Sequence, residues 1–182
     1  MSYPAWSANF DHVEAAMRRV AQRHEDLPVE LMMLSRLLVG LGRDLTADLD
    51  ELLRSHGISE GELRVLMLLY GHPDGTANPG SLVANAAHSP ANITRIADGL
   101  VERGLITRVP SEEDRRCVVL RMTRRGETLV RSLLPGVSER MRRTFSRFTT
   151  AEIRQLTADL RRIASALTEG AASENPVEPS SP

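Results

Sequence analysis

Between residues 111 and 126 the chain reads SEEDRRCVVLRMTRRG, a run rich in groups that hold anions. Arg115 and Arg116 follow three acids, and Arg121, Arg124 and Arg125 lie within and beyond an alternating apolar segment. A guanidinium presents a planar fork of donors that matches phosphate or carboxylate oxygens. Paired arginines beside a loop therefore suit a polyanionic partner, although a solvated hairpin also tolerates them. Asp114 adjoins the pair and can fix the direction of one cation. Upstream, Ser89, Asn92, Thr94 and Arg95 fall within seven residues, next to the small Ala91. Asn pairs with adenine, Arg pairs with guanine or reaches phosphate, and small neighbours permit close approach to a groove. From residue 90 to 131 nine arginines stand against six acids, while the whole chain carries 23 basic and 24 acidic residues. So local clustering, not bulk charge, has to carry any attraction to nucleic acid, and charge pattern alone is an unspecific signal.

Composition removes other chemistries. Every basic residue among those 23 is arginine, so lysine Schiff bases and lysine nucleophiles are excluded. A single cysteine, Cys117, permits no internal disulfide and no thiolate zinc cluster, and fits a reducing compartment. The histidines at 12, 24, 56, 72 and 88 make no HExxH or comparable metal spacing. His24-Glu25-Asp26 reads as capping and turn chemistry rather than a cation site. Gly40-Leu-Gly42 is no dinucleotide fingerprint, since Leu45 stands where the third glycine belongs and no strand precedes it. No nucleophile elbow or P-loop occurs. The expectation is a protein that is not an enzyme and uses no metal or cofactor. The N-terminus lacks a signal-peptide core, and no apolar run is long enough to span a bilayer. A cytoplasmic location without membrane association is expected.

The elements that must position these residues are mostly helical. Residues 1–10 read as an arm that Trp6 and Phe10 can dock, followed by a helix over 11–23. Pro28 suits a first turn, and Leu31, Leu34, Leu38, Leu41, Leu45, Leu49 and Leu52 recur at helical steps toward Gly57. Ser59-x-x-Glu62 forms a capping box for a helix through Tyr70. A turn-rich stretch, GHPDGTANPG, leads to a short helix over 79–87. Ser89-Pro90 opens a helix over 90–103 that Gly104 closes. Residues 105–109 and 117–122 alternate as two strands of a hairpin, with Cys117 on the return strand as a structural, buried thiol. Thr123 caps a helix to Phe148, with a kink expected at Pro135-Gly136. Thr149-x-x-Glu152 caps a last helix whose seam is Ile153, Leu156, Leu160, Ile163 and Leu167. The remainder is small, polar and proline-rich, as disordered tails are.

Three helices followed by a hairpin outline a winged helix-turn-helix. On a wheel of residues 90–103, Ile93, Ile96, Ala97, Leu100 and Val101 share one face and Arg95 lies opposite. A helix entering a major groove reads bases from its first turns. The fold class is therefore mainly α with a small β-hairpin, a winged helix-turn-helix flanked by N- and C-terminal dimerisation helices. The expected divisions are 1–57, arm and dimerisation helices; 58–125, winged DNA-binding domain; 126–168, C-terminal dimerisation helices; and 169–182, tail.

The run SPANITRIADGLVERGLITRVPSEEDRRCVVLRMTRRG resembles the DNA-binding core of the MarR family of bacterial transcription regulators. Its specific part is Asp114-Arg115-Arg116, a strand, then Met122-Thr123-x-x-Gly126, where that family has Asp-x-Arg and Leu-Thr-x-x-Gly. RHEDLP at 23–28, SRL at 35–37 and DRRC are similar to the EmrR/MprA-type branch of multidrug-efflux repressors. Gly99, inside the presumed recognition helix, has no account at this level. The resemblance implies a homodimer that binds a pseudo-palindrome in double-stranded DNA and releases it when a small aromatic or phenolic effector binds. Ser89, Asn92, Thr94, Arg95, Asp114, Arg115 and Arg116 are the implied DNA contacts. For the effector, Arg36, Leu37, Met67 and Tyr70 offer a cation, apolar walls and a phenol. Leu37 and Met67 also fit plain core, with Arg36 pairing at an interface. A winged-helix module that binds protein, and a DNA-binding regulator without effector, remain as alternatives.

Overall fold

The computed structural model describes residues 10–24, 26–86, 89–111 and 117–173. In chain order these form α1 (Phe10–Ala21), α2 (Val29–Leu53), α3 (Glu60–Gly71), β1 (Thr76–Ala77), α4 (Pro79–Ala86), α5 (Pro90–Glu102), β2 (Ile106–Pro110), β3 (Val118–Met122), α6 (Arg124–Thr144) and α7 (Thr150–Ser173). The order anticipated from sequence is present, with one addition. The sheet has three strands in the order β1-β3-β2, all antiparallel, rather than two. Thr76 and Ala77 pair with Arg121 and Leu120, inside the stretch read as turn alone. Two residues carry no alternation to detect. Their pairing is set by Gly75, which turns the chain at φ +62°, and by the Met122 N–H, which donates to the Gly75 carbonyl at 2.8 Å.

The chain divides into two compact units, Met1–Ser138 and Glu139–Pro182. In the first, Val65, Leu66 and Leu69 of α3 pack with Leu82 of α4, the inner face of α5, Ile106, Leu120 and Val130. Each such side chain contributes roughly 1.5–3 kcal/mol when fully buried. A smaller cluster joins Leu53, Ile58, Leu63 and Leu133. That cluster explains why α2 stops early. The α-helix ends at Leu53 instead of continuing to Gly57, and a 3₁₀ turn over Arg54–His56 brings Ile58 back over Leu53. Gly57 closes the turn in the left-handed region at φ +65°, where a side chain would be strained.

Local capping follows the sequence closely. Ser59 and Glu62 complete their reciprocal box at the start of α3. Asn78 caps α4 by accepting the Ser81 N–H at 2.7 Å. α6 runs on through Pro135, and Gly136 gives passage to Leu52, whose Cδ1 would lie 3.4 Å from a β-carbon there. It ends at Thr144, four residues short of the expected Phe148.

In the second unit, Phe145 and Phe148 set their rings 6.4 Å apart. Thr149 and Glu152 form the expected box at the start of α7: the Thr149 N–H donates to Glu152 at 2.7 Å and the Glu152 N–H to Thr149 at 3.3 Å. α7 extends to Ser173, beyond the last residue of its apolar seam. No helix among the described residues is long and apolar enough to cross a membrane.

Candidate nucleic-acid interface

The site is built around α5. Ser89 stands in extended geometry as its N-cap and accepts the Asn92 N–H at 3.3 Å, with Pro90 in the first turn. At the other end Gly104, at φ +66°, donates to Val101 and Leu105 donates to Leu100, each at 2.9 Å. Those two bonds make a Schellman closure, which requires the left-handed residue. Ile93, Ile96, Ala97 and Leu100 are buried, as the wheel anticipates, so rotation about the helix axis is fixed. Ala91, Thr94, Arg95 and Asp98 are consequently exposed on the opposite side.

The exposed first turns have internal bonds that composition does not reveal. Arg95 Nη2 donates to Asn92 Oδ1 at 2.9 Å, so the half-buried amide and the guanidinium act as one unit. The Thr94 hydroxyl donates to the Pro90 carbonyl at 3.0 Å, leaving its oxygen to serve an incoming group chiefly as an acceptor.

Two ties hold α5 against its neighbours, and neither is evident in the sequence. Glu62 Oε1 accepts from Arg103 Nη1 at 3.1 Å, while its Oε2 accepts the Ser59 N–H at 2.8 Å. One half-buried carboxylate thereby caps α3 and clamps the end of α5. Asp98 accepts from Arg108 of β2, joining α5 to the hairpin.

The β2–β3 ladder runs from Ile106 opposite Met122 to Pro110 opposite Val118, and the Ser111 N–H donates to the Cys117 carbonyl at 2.8 Å. Asp114, Arg115 and Arg116, expected at the hairpin loop, lie outside the described residues. Cys117 corrects an expectation. It precedes β3 rather than belonging to it, and its thiol is exposed, not buried. At the far end of β3 the Thr123 hydroxyl lies 2.8 and 2.9 Å from the Gly104 and Leu105 carbonyls and accepts the Gly126 N–H at 3.1 Å. This single residue binds the end of α5 to the start of α6. Gly126 answers the need for close approach, because a β-carbon there would collide with the Leu105 carbonyl and sit 2.5 Å from Met122 Sδ.

The four residues considered for an effector lie on two elements. Arg36 is exposed and Leu37 half-buried on α2, and Tyr70 of α3 packs against the main core. Met67 of α3 is 39% exposed, so the plain-core account of that residue is wrong. Its position on the outer side of α3 could not be separated from the buried Leu66 and Leu69 by hydropathy.

Residues 58–118, from the end of the α2 turn to the start of β3, match the model of the MarR family. The transcriptional repressor MprA of Escherichia coli strain K12 is 32% identical over 160 residues, covering 88% of this chain and 91% of that protein. Among solved structures, the Streptomyces coelicolor regulator Sco3205 in complex with DNA has a TM-score of 0.71 at 22% identity, covering 78% of this chain and 89% of its own. CouR from Rhodococcus jostii RHA1, bound to p-coumaroyl-CoA, has a TM-score of 0.67 at 25% identity, with 72% and 91% covered.

Proposed function

Since the chain belongs to the MarR family, we propose that it is a dimeric transcriptional repressor that binds a pseudo-palindromic operator and is released by a small aromatic or phenolic ligand. The observation that carries this reading is the orientation of α5: four core residues bury one face and leave Thr94 and Arg95 outward at its capped N-terminal end. Such an end favours phosphate through its unpaired N–H groups, while Asn and Arg discriminate bases. Ser89, Asn92, Thr94 and Arg95 take the major groove. Asp114, Arg115 and Arg116 take the adjacent backbone or minor groove.

Dimerisation is assigned to residues 1–57 and 126–168, around a winged domain at 58–125. Exposed Leu31, Leu34, Val39 and Leu41 on α2, and Leu156, Leu160 and Leu167 on α7, support it, since apolar rows of this length favour a partner. Two α5 helices in a dimer then address half-sites about one helical turn, roughly 34–36 Å, apart. The repressor sense follows the 32% identical MprA, and the aromatic class of effector is supported by CouR and its p-coumaroyl-CoA. Arg36, Leu37, Met67 and Tyr70 are the candidate ligand contacts. Release then follows from linkage: a ligand that prefers another half-site spacing weakens DNA binding by its differential affinity.

Gel shifts of the operator region upstream of the protein's own gene test the reading. Specific affinity is expected near 10⁻⁸ M or tighter at physiological salt, with a steep decline as salt rises. Arg116→Ala should weaken all duplexes alike, whereas Asn92→Ala should alter base preference. Absence of any sequence-selective shift below about micromolar protein sinks it. A protein-binding wing predicts weak, salt-insensitive shifts. A regulator without effector predicts no DNA release by aromatic acids.

A further inference from the structure

Two ties from different helices converge on the first turn of α3. From α2, Asp50 Oδ1 accepts the Glu60 N–H at 2.6 Å in a partly buried bond. From α5, Arg103 Nη1 donates to Glu62 Oε1 at 3.1 Å. The same carboxylate serves α3 itself, since its Oε2 accepts the Ser59 N–H at 2.8 Å and the Ser59 hydroxyl at 3.1 Å. Both oxygens are thus committed, one to each helix. The Glu62 and Arg103 side chains are 19% and 33% exposed, so salt screens the pair less than a surface ion pair. Leu53 of α2 packs with Ile58 and Leu63 at the same joint. Arg103 is the C-cap of α5 and lines a cleft with Arg124 and Arg125, so loss of Glu62 leaves it beside like charges.

We infer that Glu62 is a positioning residue for DNA reading: its carboxylate, together with Asp50, fixes the direction of α5 relative to α2. Arg103 holds the end of α5 that lies about 20 Å from Ser89, at about 1.5 Å of rise per residue. A tilt of about 5° at that end displaces the first turns by roughly 2 Å over this length. Hydrogen bonds to base edges do not survive such a shift, because their useful distances span about half an ångström. α2 lies in the segment assigned to dimerisation, so its angle to α5 also sets the distance between two recognition helices. That consequence rests on the reading of the chain as a dimeric DNA-binding protein. Residue type matters too. Glutamine offers one carbonyl oxygen and an NH₂ donor where glutamate offers two acceptors. Glu62→Gln can therefore keep the capping box of α3, but it then turns a donor toward Arg103.

Gel shifts with the operator region upstream of the protein's own gene test this role, against the same fragment lengthened by a single base pair between half-sites. Wild type should prefer the native spacing. Glu62→Gln should bind the native operator about fivefold or more weakly and lose most of that preference. Asp50→Ala should behave likewise. Arg103→Lys and Asp50→Asn, which keep a donor and an acceptor, should retain the selectivity of wild type. Affinity for nonspecific duplex should stay within about twofold and the salt slope should not change, as Arg103 lies at the end away from the reading turns. If Glu62→Gln and Asp50→Ala lower the urea midpoint but keep wild-type affinity and spacing preference, the ties serve stability alone and the inference falls. A salt slope reduced by about one in Arg103→Gln also overturns it, by making that arginine a duplex contact. If wild type binds no operator, the DNA reading fails alone, and amide hydrogen exchange decides whether Glu62 holds α5. Exchange at residues 103–105 should quicken about fivefold or more in Glu62→Gln. Unchanged exchange there removes the positioning role.

Discussion

Two glycines in helices, Gly99 and Gly126, should respond in opposite directions to the same substitution. Replacing glycine with alanine inside a helix ordinarily stabilises it by roughly 0.8–1 kcal/mol, because the unfolded chain loses freedom. At Gly99 nothing opposes this. An added β-carbon finds only Glu62 Oε1, at 3.9 Å, an ordinary van der Waals contact. At Gly126 the added carbon meets the Leu105 carbonyl and Met122 Sδ, the latter at 2.5 Å. Met122 can swing its sulfur aside, but the carbonyl is backbone and cannot. It also takes the Thr123 N–H at 3.2 Å and contacts the Thr123 hydroxyl at 2.9 Å, so pushing it away breaks the joint between α5, β2 and α6. Overpacking costs about 1–3 kcal/mol and sometimes more, and here relief is blocked, so the upper end applies. Subtracting the helix gain of at most about 1 kcal/mol leaves a net loss near 2 kcal/mol or greater for Gly126→Ala. With a urea dependence of about 2 kcal/mol per molar, the midpoint should fall by about 1 M for Gly126→Ala. By the same dependence it should rise by up to about 0.5 M for Gly99→Ala. Urea melts followed by far-ultraviolet dichroism at one fixed protein concentration measure both, concentration being held because any self-association makes stability depend on it. A Gly126→Ala protein as stable as wild type would refute the close-approach reasoning. A Gly99→Ala protein destabilised by more than about 1 kcal/mol would refute the account of open space.

Removing the N-cap hydroxyl in Ser89→Ala should cost about 1 kcal/mol of stability, read in the same melts, because the Asn92 N–H loses its acceptor. A double-mutant cycle on Glu62→Gln and Arg103→Gln should return a coupling of about 0.5–1 kcal/mol, modest because the pair is partly solvated; strict additivity would deny the clamp. Glu152 accepts the Thr149 N–H and hydroxyl, which holds its carboxyl below the usual glutamate range. A lowered folded value means the cap is fully present above that range and is lost as pH falls through the folded value. Carboxyl-carbon titration should accordingly place Glu152 below a glutamate in a short unstructured peptide. Coincident midpoints would remove the cap's acid sensitivity.

Much of the fold is legible from residue types a few positions apart. The boxes Ser59–Glu62 and Thr149–Glu152, the Ser89-Pro90 opening and the closing glycines at 57 and 104 each make bonds within a turn of chain, so their spacing is written directly in the sequence. Helical periodicity likewise determines which face of α5 is buried, and with it the outward place of Arg95. What only the tertiary structure decides depends on residues far apart in the chain. β1 exists because β3 offers it a ladder, not because two residues prefer to be a strand. The 3₁₀ end of α2 answers the burial of Ile58 on Leu53, and the Glu62–Arg103 clamp joins residues 41 apart. The arginines of SEEDRRCVVLRMTRRG also divide unexpectedly: Arg124 and Arg125 line a cleft with Arg103, at the C-terminal end of α5. The Thr-x-x-Gly at its end gains a physical reason from the same packing: the hydroxyl and the missing side chain let α6 begin against the carbonyl that closes α5. No local pattern encodes that contact, because its other half is contributed by a segment about twenty residues earlier in the chain.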